Sequence, residues 1–456
     1  MDSTALNALS PLDGRYAEKA DPIREFLSEY ALIRYRVLVE VRWLEHLANE
    51  PAIAELPPLE APVKDLLNRI VDSFSLEDAR RVKALEKTTN HDVKAVEYFL
   101  REKLEGVTSR GNSLISFLHF ACTSEDINNL AYALMLRDLR KSVLLPALRT
   151  LEADLRKLAN TFAAVPMLSR THGQTASPTT LGKEVANFVA RIARQSALFE
   201  NVEIFGKING AVGNFNAHVV AYPDCDWVEI AARFVRALGL SPKRYTTQIE
   251  PHDWIAEYCQ ALERINTVTI DLCRDFWSYI SIGYFKSRPV PGEVGSSTMP
   301  HKVNPIDFEN AEGNLGMANA MLGHLAGKLP VSRWQRDLTD STVLRNLGPA
   351  TAYGFIAWQS CRRGLDKLDA DPERIARDLE QSPEVLAEAV QTVLRKHGVA
   401  DAYEQLKELT RGRQIDADTI RELVAHAPLS DADRKRLSEL EPAQYIGLAA
   451  ELARQI

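Results

Sequence analysis

The chain has 456 residues, of which 45% are hydrophobic and 26% are charged, an ordinary composition for a globular protein. Its formal net charge of −7 argues against a general nucleic-acid-binding protein, because such proteins are normally basic. No uninterrupted apolar run approaches the ~20 residues that a membrane-spanning helix requires, so no membrane partner is expected.

The first residues, MDSTALNALSPLDGRY, lack a basic segment followed by an apolar run, so no secretory signal is predicted. The five cysteines are scattered and form no CxxC pair, which argues against a disulfide framework or a zinc site. No HExxH or comparable spacing of His, Asp and Glu indicates any other metal site. We therefore expect a soluble protein of a reducing cytoplasm.

Helical periodicity prevails along the chain. Apolar residues recur mostly at three- or four-residue steps over 130–162, 181–202 and 255–279, which predicts long helices that each bury one face. Pro146 lies inside the first stripe, and we expect it to kink that helix. Strand-like alternation is rare and no βαβ pattern repeats. The predicted fold class is therefore all-α, with a long helical bundle.

The composition predicts three helical parts. An N-terminal helical domain covers 1–112, and a central long-helix bundle domain covers 113–365 and carries a polar loop at 292–305. After about 365 the chain changes to short charged helices separated by Asp/Pro and Gly breaks, which predicts a C-terminal helical domain over 366–456.

Two segments have the pattern of helix N-termini. In TTNHD (88–92), Thr89 or Asn90 is a candidate N-cap, which would place His91 at the positive end of a helix. In CTSEDI, Thr123 or Ser124 can cap the next helix, with the acidic member of a capping box at residue 126. Plain capping explains both segments. Free N–H groups at helix starts also bind anions, so an anionic ligand is the alternative.

His172 lies between Arg170 and Gly173 in SRTHGQ, a segment without apolar periodicity. A histidine of the core normally lies on an apolar stripe, and this one does not. An imidazole with an unperturbed pKa of about 6.5 transfers protons near neutrality, so a catalytic role and a structural role both stay open.

The segment 330–346 combines cations with hydroxyls. Its candidate anion ligands are Arg333, Arg336, Ser341, Thr342 and Arg345. Planar guanidinium groups and paired hydroxyls suit a phosphate or a carboxylate. The alternative is a charged helix face balanced by Asp337 and Asp340.

The loop GEVGSSTMPHKVNP (292–305) is the richest segment in functional groups. Ser296 and Ser297 follow a glycine, and Lys302 and Asn304 follow shortly after them. A serine beside a lysine and an amide suits a nucleophile or a base. A disordered polar loop would explain the Gly and Pro residues but not this density of reactive groups.

GSSTMPHKVNP resembles the signature loop of the aspartase/fumarase superfamily, whose pattern is GSSxMPxKxNP. Together with TTNHD, FACTSEDINNL, LSRTHGQ, KINGAVGNFNAH, YTTQIEPHD and SRWQRDLTDSTVLRN, it is similar to the adenylosuccinate lyase family of the longer bacterial kind. The matching blocks run in order from Arg15 to Arg345. Thr175 is a departure, since the family more often has proline there, and we expect it to alter a turn rather than the chemistry.

The resemblance implies three helical domains that form a homotetramer around a twenty-helix core, with each active site shared between subunits. It implies small-molecule substrates and no metal or organic cofactor. The implied reaction is β-elimination of fumarate from adenylosuccinate, giving AMP. The same site would cleave the succinylated aminoimidazole carboxamide ribotide (SAICAR) to AICAR in purine nucleotide biosynthesis.

The resemblance also implies roles for individual residues. Ser296 would be the base and His172 would protonate the departing nitrogen, while Lys302 and Asn304 would hold the succinyl carboxylates. The other implied substrate-binding residues are Arg15, Tyr16, Asn90, His91, Asp92, Thr123, Ser124, Gln248, Ser297, Val303, Asn310, Arg336, Ser341, Thr342, Val343, Leu344 and Arg345.

Two rival functions stay open. Another fumarate-releasing lyase of the superfamily, such as argininosuccinate lyase, usually has a different residue before the signature lysine and has no use for the arginines and hydroxyls at 336–345. An inactive helical scaffold would be expected to have lost Ser296, His172 or Lys302, and all three are present.

Overall fold

The computed structural model of the chain describes residues 3–106, 111–292, 298–299, 301–410 and 417–456. Helices form most of this part of the chain, which confirms the all-α fold class. The α-helices are Ser3–Leu6, Ala17–Leu27, Glu29–Ala48, Ala61–Asp72, Leu76–Thr89, Asp92–Leu104, Gly111–Ser116, Ser124–Leu139, Leu145–Thr161, Leu181–Glu200, Asn216–Ala221, Trp227–Ala237, Asp253–Ser281, Ile306–Lys328, Thr339–Leu344, Leu347–Asp366, Pro372–Glu380, Ala387–Lys396, Ala402–Thr410, Ala417–His426, Asp431–Ser438 and Ala449–Arg454. A π-helical turn spans Arg140–Leu144, and 3₁₀ turns span Pro383–Leu386 and Pro442–Gln444.

Strands in the described residues form three small pairs. Pro166–Thr171 and Gln174–Thr180 pair antiparallel, as do Phe285–Ser287 and Leu368–Ala370, whereas Phe205–Gly206 and Ser241–Pro242 pair in parallel. None of the described helices is both long and apolar enough to cross a membrane.

The chain divides into two compact units. The first comprises Met1–Ala147, Gln195–Thr267 and Asn314–Ala357, and the second comprises Leu148–Arg194, Val268–Gly313 and Trp358–Ile456. The division into three domains at 112 and 365 stays a prediction.

The long apolar stripes form helices as predicted. The stripes at 181–202 and 255–279 correspond to Leu181–Glu200 and Asp253–Ser281. The stripe at 130–162 is interrupted by the π-helical turn Arg140–Leu144, which ends two residues before Pro146. Proline has no N–H to donate, so a regular α-helical ladder cannot continue through it, and the wider turn is where the helix accommodates this.

In the first unit, helix Ser124–Leu139 is buried on almost every side and packs against helix Glu29–Ala48. Leu130 and Leu136 are among its fully buried residues. Because nearly every face of the helix is covered, its first turn has a fixed position, and that turn carries several of the predicted site residues.

In the second unit, a hairpin presents His172. Its two strands pair Thr171 with Gln174, so His172 and Gly173 are the turn, with φ of 54° and 75°. Two-residue hairpins favour turns with positive φ at both central positions, and His tolerates that region better than most residues. Thr175 lies in the second strand, where it pairs with Arg170 next to this turn, and its effect on the turn stays a prediction.

His218 makes the first unit sensitive to acid. The ring is fully buried between Phe215 and Trp227, neither ring nitrogen has a hydrogen-bond partner in the described residues, and burial lowers the pKa of His218 to about 4. The unfolded chain, with a pKa near 6.5, binds this proton more readily. The contribution to stability is therefore complete above about pH 6.5 and is lost towards pH 4, by up to about 3 kcal/mol.

In urea unfolding experiments, the free energy of unfolding should fall as the pH is lowered from about 7.5 to about 5. We expect this fall to be smaller for His218→Phe than for the wild type. His324→Gln, which changes an exposed histidine, is the matched control and should retain the wild-type dependence on pH. Equal pH dependence in all three proteins would contradict this account.

Candidate active site

The first site segment is the junction between helices Leu76–Thr89 and Asp92–Leu104. The predicted N-cap at Thr89 or Asn90 is wrong, because Thr89 belongs to the first helix and Asn90, with φ of 49°, caps its C-terminus. His91 is the N-cap of the second helix, and its Nδ1 accepts a hydrogen bond from Lys94 N at 3.1 Å. His91 Nε2 lies 3.4 Å from Ser124 Oγ, so the two predicted helix starts meet.

The second helix start is fixed by a buried carboxylate. Thr123 is the N-cap, and Asp126 accepts from its backbone N–H at 2.8 Å, as the capping-box pattern predicted. Asp126 also accepts from Asn209 N at 2.9 Å and Gly210 N at 3.1 Å, and lies 2.8 Å from Lys207 Nζ. Because the Asp126 and Lys207 side chains are completely buried, they tie the helix start firmly to the segment 207–210.

Gln248 is placed by the residues that follow the segment 207–210. A Cβ at Gly213, which has φ of 82°, would come within 2.5 Å of Thr246 O, so only glycine allows this close approach. Gln248 Nε2 donates to Ala211 O at 3.1 Å. Its backbone N–H donates to Gln335 O at 3.3 Å, next to the predicted anion ligand Arg336.

Arg336 has carboxylate and amide partners. Its Nη2 lies 3.0 Å from Glu125 Oε1, and its Nη1 donates to Gln248 Oε1 at 3.2 Å. Asp340 Oδ1 lies 3.8 Å from the same Nη2. The Arg336 side chain is only 17% exposed, and a guanidinium held this way is preorganised for a planar or tetrahedral anion.

Asn128 connects the contacts around Arg336 to a second set of contacts around Asp92. Its Nδ2 donates to Glu125 Oε1 at 2.8 Å, and its Oδ1 accepts from Arg36 Nε at 2.7 Å. Arg36 Nη2 and Arg345 Nη2 lie 2.7 Å and 3.4 Å from the same oxygen of Asp92. Burial, the largest single influence, opposes ionisation of Asp92. The charge and hydrogen bond of Arg36, the backbone N–H of Val93 and the charge of Arg345 together outweigh it, so the pKa of Asp92 lies below its ordinary value.

These contacts form one connected set in the first unit, which we call the arginine network. Its members are Arg36, Asp92, Glu125, Asn128, Gln248, Arg336 and Arg345. Arg336 Nε and Glu125 Oε2 are buried and have no hydrogen-bond partner in the described residues. An unsatisfied donor and acceptor in a fixed polar cluster are features of a ligand site.

The remaining predicted residues of the first unit flank this network. Ser341, Thr342, Val343 and Leu344 lie in helix Thr339–Leu344, and Arg345 is its C-cap. Arg15 is exposed, and Tyr16 is the N-cap of helix Ala17–Leu27. The next helix begins at Glu29, which forms an ion pair with Arg345.

The other predicted residues belong to the second unit. His172 is exposed at the hairpin turn, and the hairpin is anchored by Arg170, whose Nη1 donates to Tyr284 Oη at 2.9 Å. Exposed Lys302 and Val303 and half-buried Asn304 precede helix Ile306–Lys328. Asn310 lies in that helix and accepts from Ser360 Oγ at 2.7 Å. Ser296 and Ser297 lie outside the described residues.

Several members of the arginine network had not been predicted, namely Arg36, Glu125 and Asn128. Glu125 lay within a quoted segment, but an acidic residue in a first helical turn is usually explained by the helix dipole. A buried Glu125 followed by a buried Asp126 is unusual, because acidic residues are seldom fully buried.

No group of three or more His, Cys, Asp or Glu side chains in the described ranges could hold a metal ion.

Sequence comparisons identify the family. The family profile described as "Lyase" matches residues 14–321, and the profile described as "Adenylosuccinate lyase C-terminal" matches residues 332–446. Adenylosuccinate lyases of Haemophilus influenzae and Escherichia coli are each 52% identical over 456 residues, covering 100% of both chains. The adenylosuccinate lyase of Buchnera aphidicola from Acyrthosiphon pisum is 45% identical over 457 residues.

Solved structures support the same fold. A fumarate lyase from Mesorhizobium sp. BNC1 has a TM-score of 0.74 at 19% identity, covering 95% of this chain and 97% of its own. The 3-carboxy-cis,cis-muconate lactonizing enzyme from Pseudomonas putida has a TM-score of 0.71 at 22% identity, covering 95% of each chain. With the full-length identity to the curated relatives, the conclusion is that this chain belongs to the adenylosuccinate lyase family.

Proposed function

We propose that the protein is a carbon–nitrogen lyase that eliminates fumarate from adenylosuccinate, giving AMP, and from SAICAR, giving AICAR. The observation that carries this proposal is 52% identity to adenylosuccinate lyases over the whole chain. The arginine network supports it, because the substrate is a nucleotide with one phosphate and two carboxylates.

In this proposal the nucleotide is bound by members of the arginine network and the residues that flank it. Arg336, Ser341 and Arg345 hold the phosphate together with Arg15 and Tyr16, because fixed guanidinium groups and hydroxyls suit a tetrahedral anion. The residues that orient the nucleotide are Asn90, His91 and Asp92. The residues that contact the succinyl part are Thr123, Ser124 and Gln248.

The loop at 292–305 and the hairpin turn supply the proposed chemistry. Ser296 removes the proton from the succinyl Cβ, and the charge moves into the neighbouring carboxylate. Serine is a weak base, so the reaction requires that carboxylate to be held by preorganised positive groups, here Lys302 with Asn304, where one donor can contribute about 3 kcal/mol. The C–N bond then breaks, and His172 delivers a proton to the departing purine nitrogen.

The assembly and location belong to the same proposal. We infer a homotetramer with shared active sites in the cytoplasm, as in the family this chain resembles. Large apolar side chains on the long helices support burial against other subunits: Trp277 is 46% exposed and Met317 is 52% exposed in the single chain.

A paired assay separates the proposed function from its rivals. The purified protein is mixed with adenylosuccinate and, in parallel, with argininosuccinate, and fumarate and the second product are quantified. We expect fumarate and AMP from the first mixture only. Fumarate from argininosuccinate would favour the rival lyase, and no product from either would favour an inactive scaffold.

Arg336→Ala should raise the dissociation constant for AMP by about 30-fold, because a charge-assisted contact to phosphate contributes about 2 kcal/mol. Turnover of bound substrate should fall less, since the phosphate is remote from the breaking bond. Calorimetric titration with AMP measures the change.

Arg333→Ala is the matched control, because the Arg333 side chain is 79% exposed and pairs with Asp337. It should leave the AMP affinity unchanged. Because Arg336→Ala also leaves Glu125 without its guanidinium partner, thermal denaturation must verify that the variant is folded. Wild-type AMP affinity in folded Arg336→Ala would refute the phosphate assignment.

A further inference from the structure

We propose that Glu29 acts as an internal anion that occupies Arg345 in the unliganded protein and that the phosphate of the nucleotide displaces it. Glu29 would thereby lower the affinity of the site for phosphate-bearing ligands. The proposal deepens the proposed function and rests on it, because it takes Arg345 as a phosphate ligand.

The geometry places a carboxylate where a ligand's anion would bind. Arg345 Nη1 lies 2.5 Å from Glu29 Oε2, whereas its Nη2 lies 3.4 Å from Asp92 Oδ2. Asp92 already has a closer partner in Arg36, at 2.7 Å. Glu29 is therefore the principal partner of the Arg345 guanidinium, and a phosphate that binds this guanidinium must compete with it.

Glu29 has a second cation that can retain it after displacement. Its Oε1 lies 3.1 Å from Lys83 Nζ, so the carboxylate lies between Lys83 and Arg345. When Arg345 exchanges Glu29 for a phosphate, Arg345 pairs with the phosphate and Glu29 stays paired with Lys83. This arrangement avoids the penalty of leaving a carboxylate unpaired beside an incoming dianion.

Space and exposure also permit the exchange. The Glu29 side chain is 42% exposed, and Glu29 borders a cavity of about 270 Å³ lined also by Ser28 and Arg24. Glu29 is the first residue of helix Glu29–Ala48, and its partly exposed side chain can change rotamer without breaking a backbone hydrogen bond. Asp92, by contrast, is held by the buried guanidinium of Arg36.

The expected effect is small but has a defined sign. An exposed ion pair contributes up to about fivefold to an equilibrium constant, so removing the Glu29 charge should tighten phosphate binding by about two- to fivefold. Most substitutions in a binding site remove a contact to the ligand and weaken binding. Removal of the Glu29 charge should instead increase the affinity for phosphate.

The test compares Glu29→Gln with Glu86→Gln by calorimetric titration of AMP and of inorganic phosphate. Glu86 also pairs with Lys83, at 2.6 Å, so it matches the loss of one carboxylate near the same lysine. We expect tighter binding of both ligands in Glu29→Gln and wild-type affinity in Glu86→Gln. Unchanged or weaker binding in Glu29→Gln, or equal tightening in both variants, would overturn the exchange.

The variant Arg345→Ala distinguishes failure of this proposal from failure of the proposed function. The measurement is AMP affinity, which does not depend on catalysis. Loss of AMP affinity in Arg345→Ala with no gain in Glu29→Gln would overturn the exchange alone. Wild-type AMP affinity in Arg345→Ala would overturn both the exchange and the role of Arg345 as a phosphate ligand. Loss in Arg345→Ala together with a gain in Glu29→Gln supports both.

Discussion

Ser296→Ala should lower the rate of fumarate release by about a thousandfold or more, because a positioned base contributes roughly 10²- to 10⁴-fold and nothing else replaces it. Substrate affinity should change little. A proton-transfer group acts mainly in the transition state, so its removal lowers kcat and kcat/KM together without a matching loss of ground-state binding.

Ser297→Ala is the matched control, since it removes the same hydroxyl from the adjacent residue. Single-turnover rates and equilibrium binding of adenylosuccinate should be measured for both variants. We expect Ser297→Ala to retain most of the activity. A dead Ser297→Ala beside a nearly wild-type Ser296→Ala would reverse the assignment of the base.

The second large effect is the recovery of lyase activity when two inactive variants are refolded together. His172→Ala and Ser296→Ala should each be inactive alone, yet unfolding and refolding them together should return activity. If the two residues of a site come from different subunits, mixed tetramers contain some sites with neither lesion, at most about a quarter of them for random mixing. The exposed position of His172 at a hairpin turn suits a residue that acts in a neighbouring subunit's site.

The readout is the number of active sites, obtained by titration with a tight-binding substrate analogue, together with the specific activity of verified mixed tetramers. Each variant refolded alone is the control for spontaneous recovery. Verified mixed tetramers without activity would contradict shared sites. A fully active monomer would contradict them more directly.

Much of the fold could be predicted because the apolar stripes are long and regular. The stripes at 181–202 and 255–279 match their helices within two residues at each end. The junction at 88–92 was harder, because Asn is favoured both as an N-cap and in the left-handed C-terminal cap, and only two residues separate the two helices there. Only the conformation of Asn90 decides between these roles.

The hairpin at 166–180 was not predicted for a different reason. The residues from Thr171 to Thr175 are all exposed, so they carry no apolar alternation, and Pro178 weakens a strand assignment. The turn residues His172 and Gly173 are also not a common hairpin pair. The hairpin became recognisable only from its pairing.

Members of the arginine network meet across long sequence separations. Glu125 and Arg336 are 211 residues apart, and Asp92 and Arg345 are 253 apart. Local patterns do not encode such pairs, because they depend on how helices pack in three dimensions. The resemblance to a known family supplied Arg336, Arg345 and Asp92, but it did not supply Glu125, which pairs with Arg336, or Glu29, which pairs with Arg345.

The most direct test of the whole account is a crystal structure of Ser296→Ala with adenylosuccinate bound. We predict that the phosphate contacts Arg336 and Arg345, with Glu29 turned away from Arg345. The succinyl carboxylates should contact Lys302 and Asn304, and the residue facing the departing nitrogen should be His172. A phosphate bound away from both arginines, or a succinyl group away from Lys302, would contradict the account.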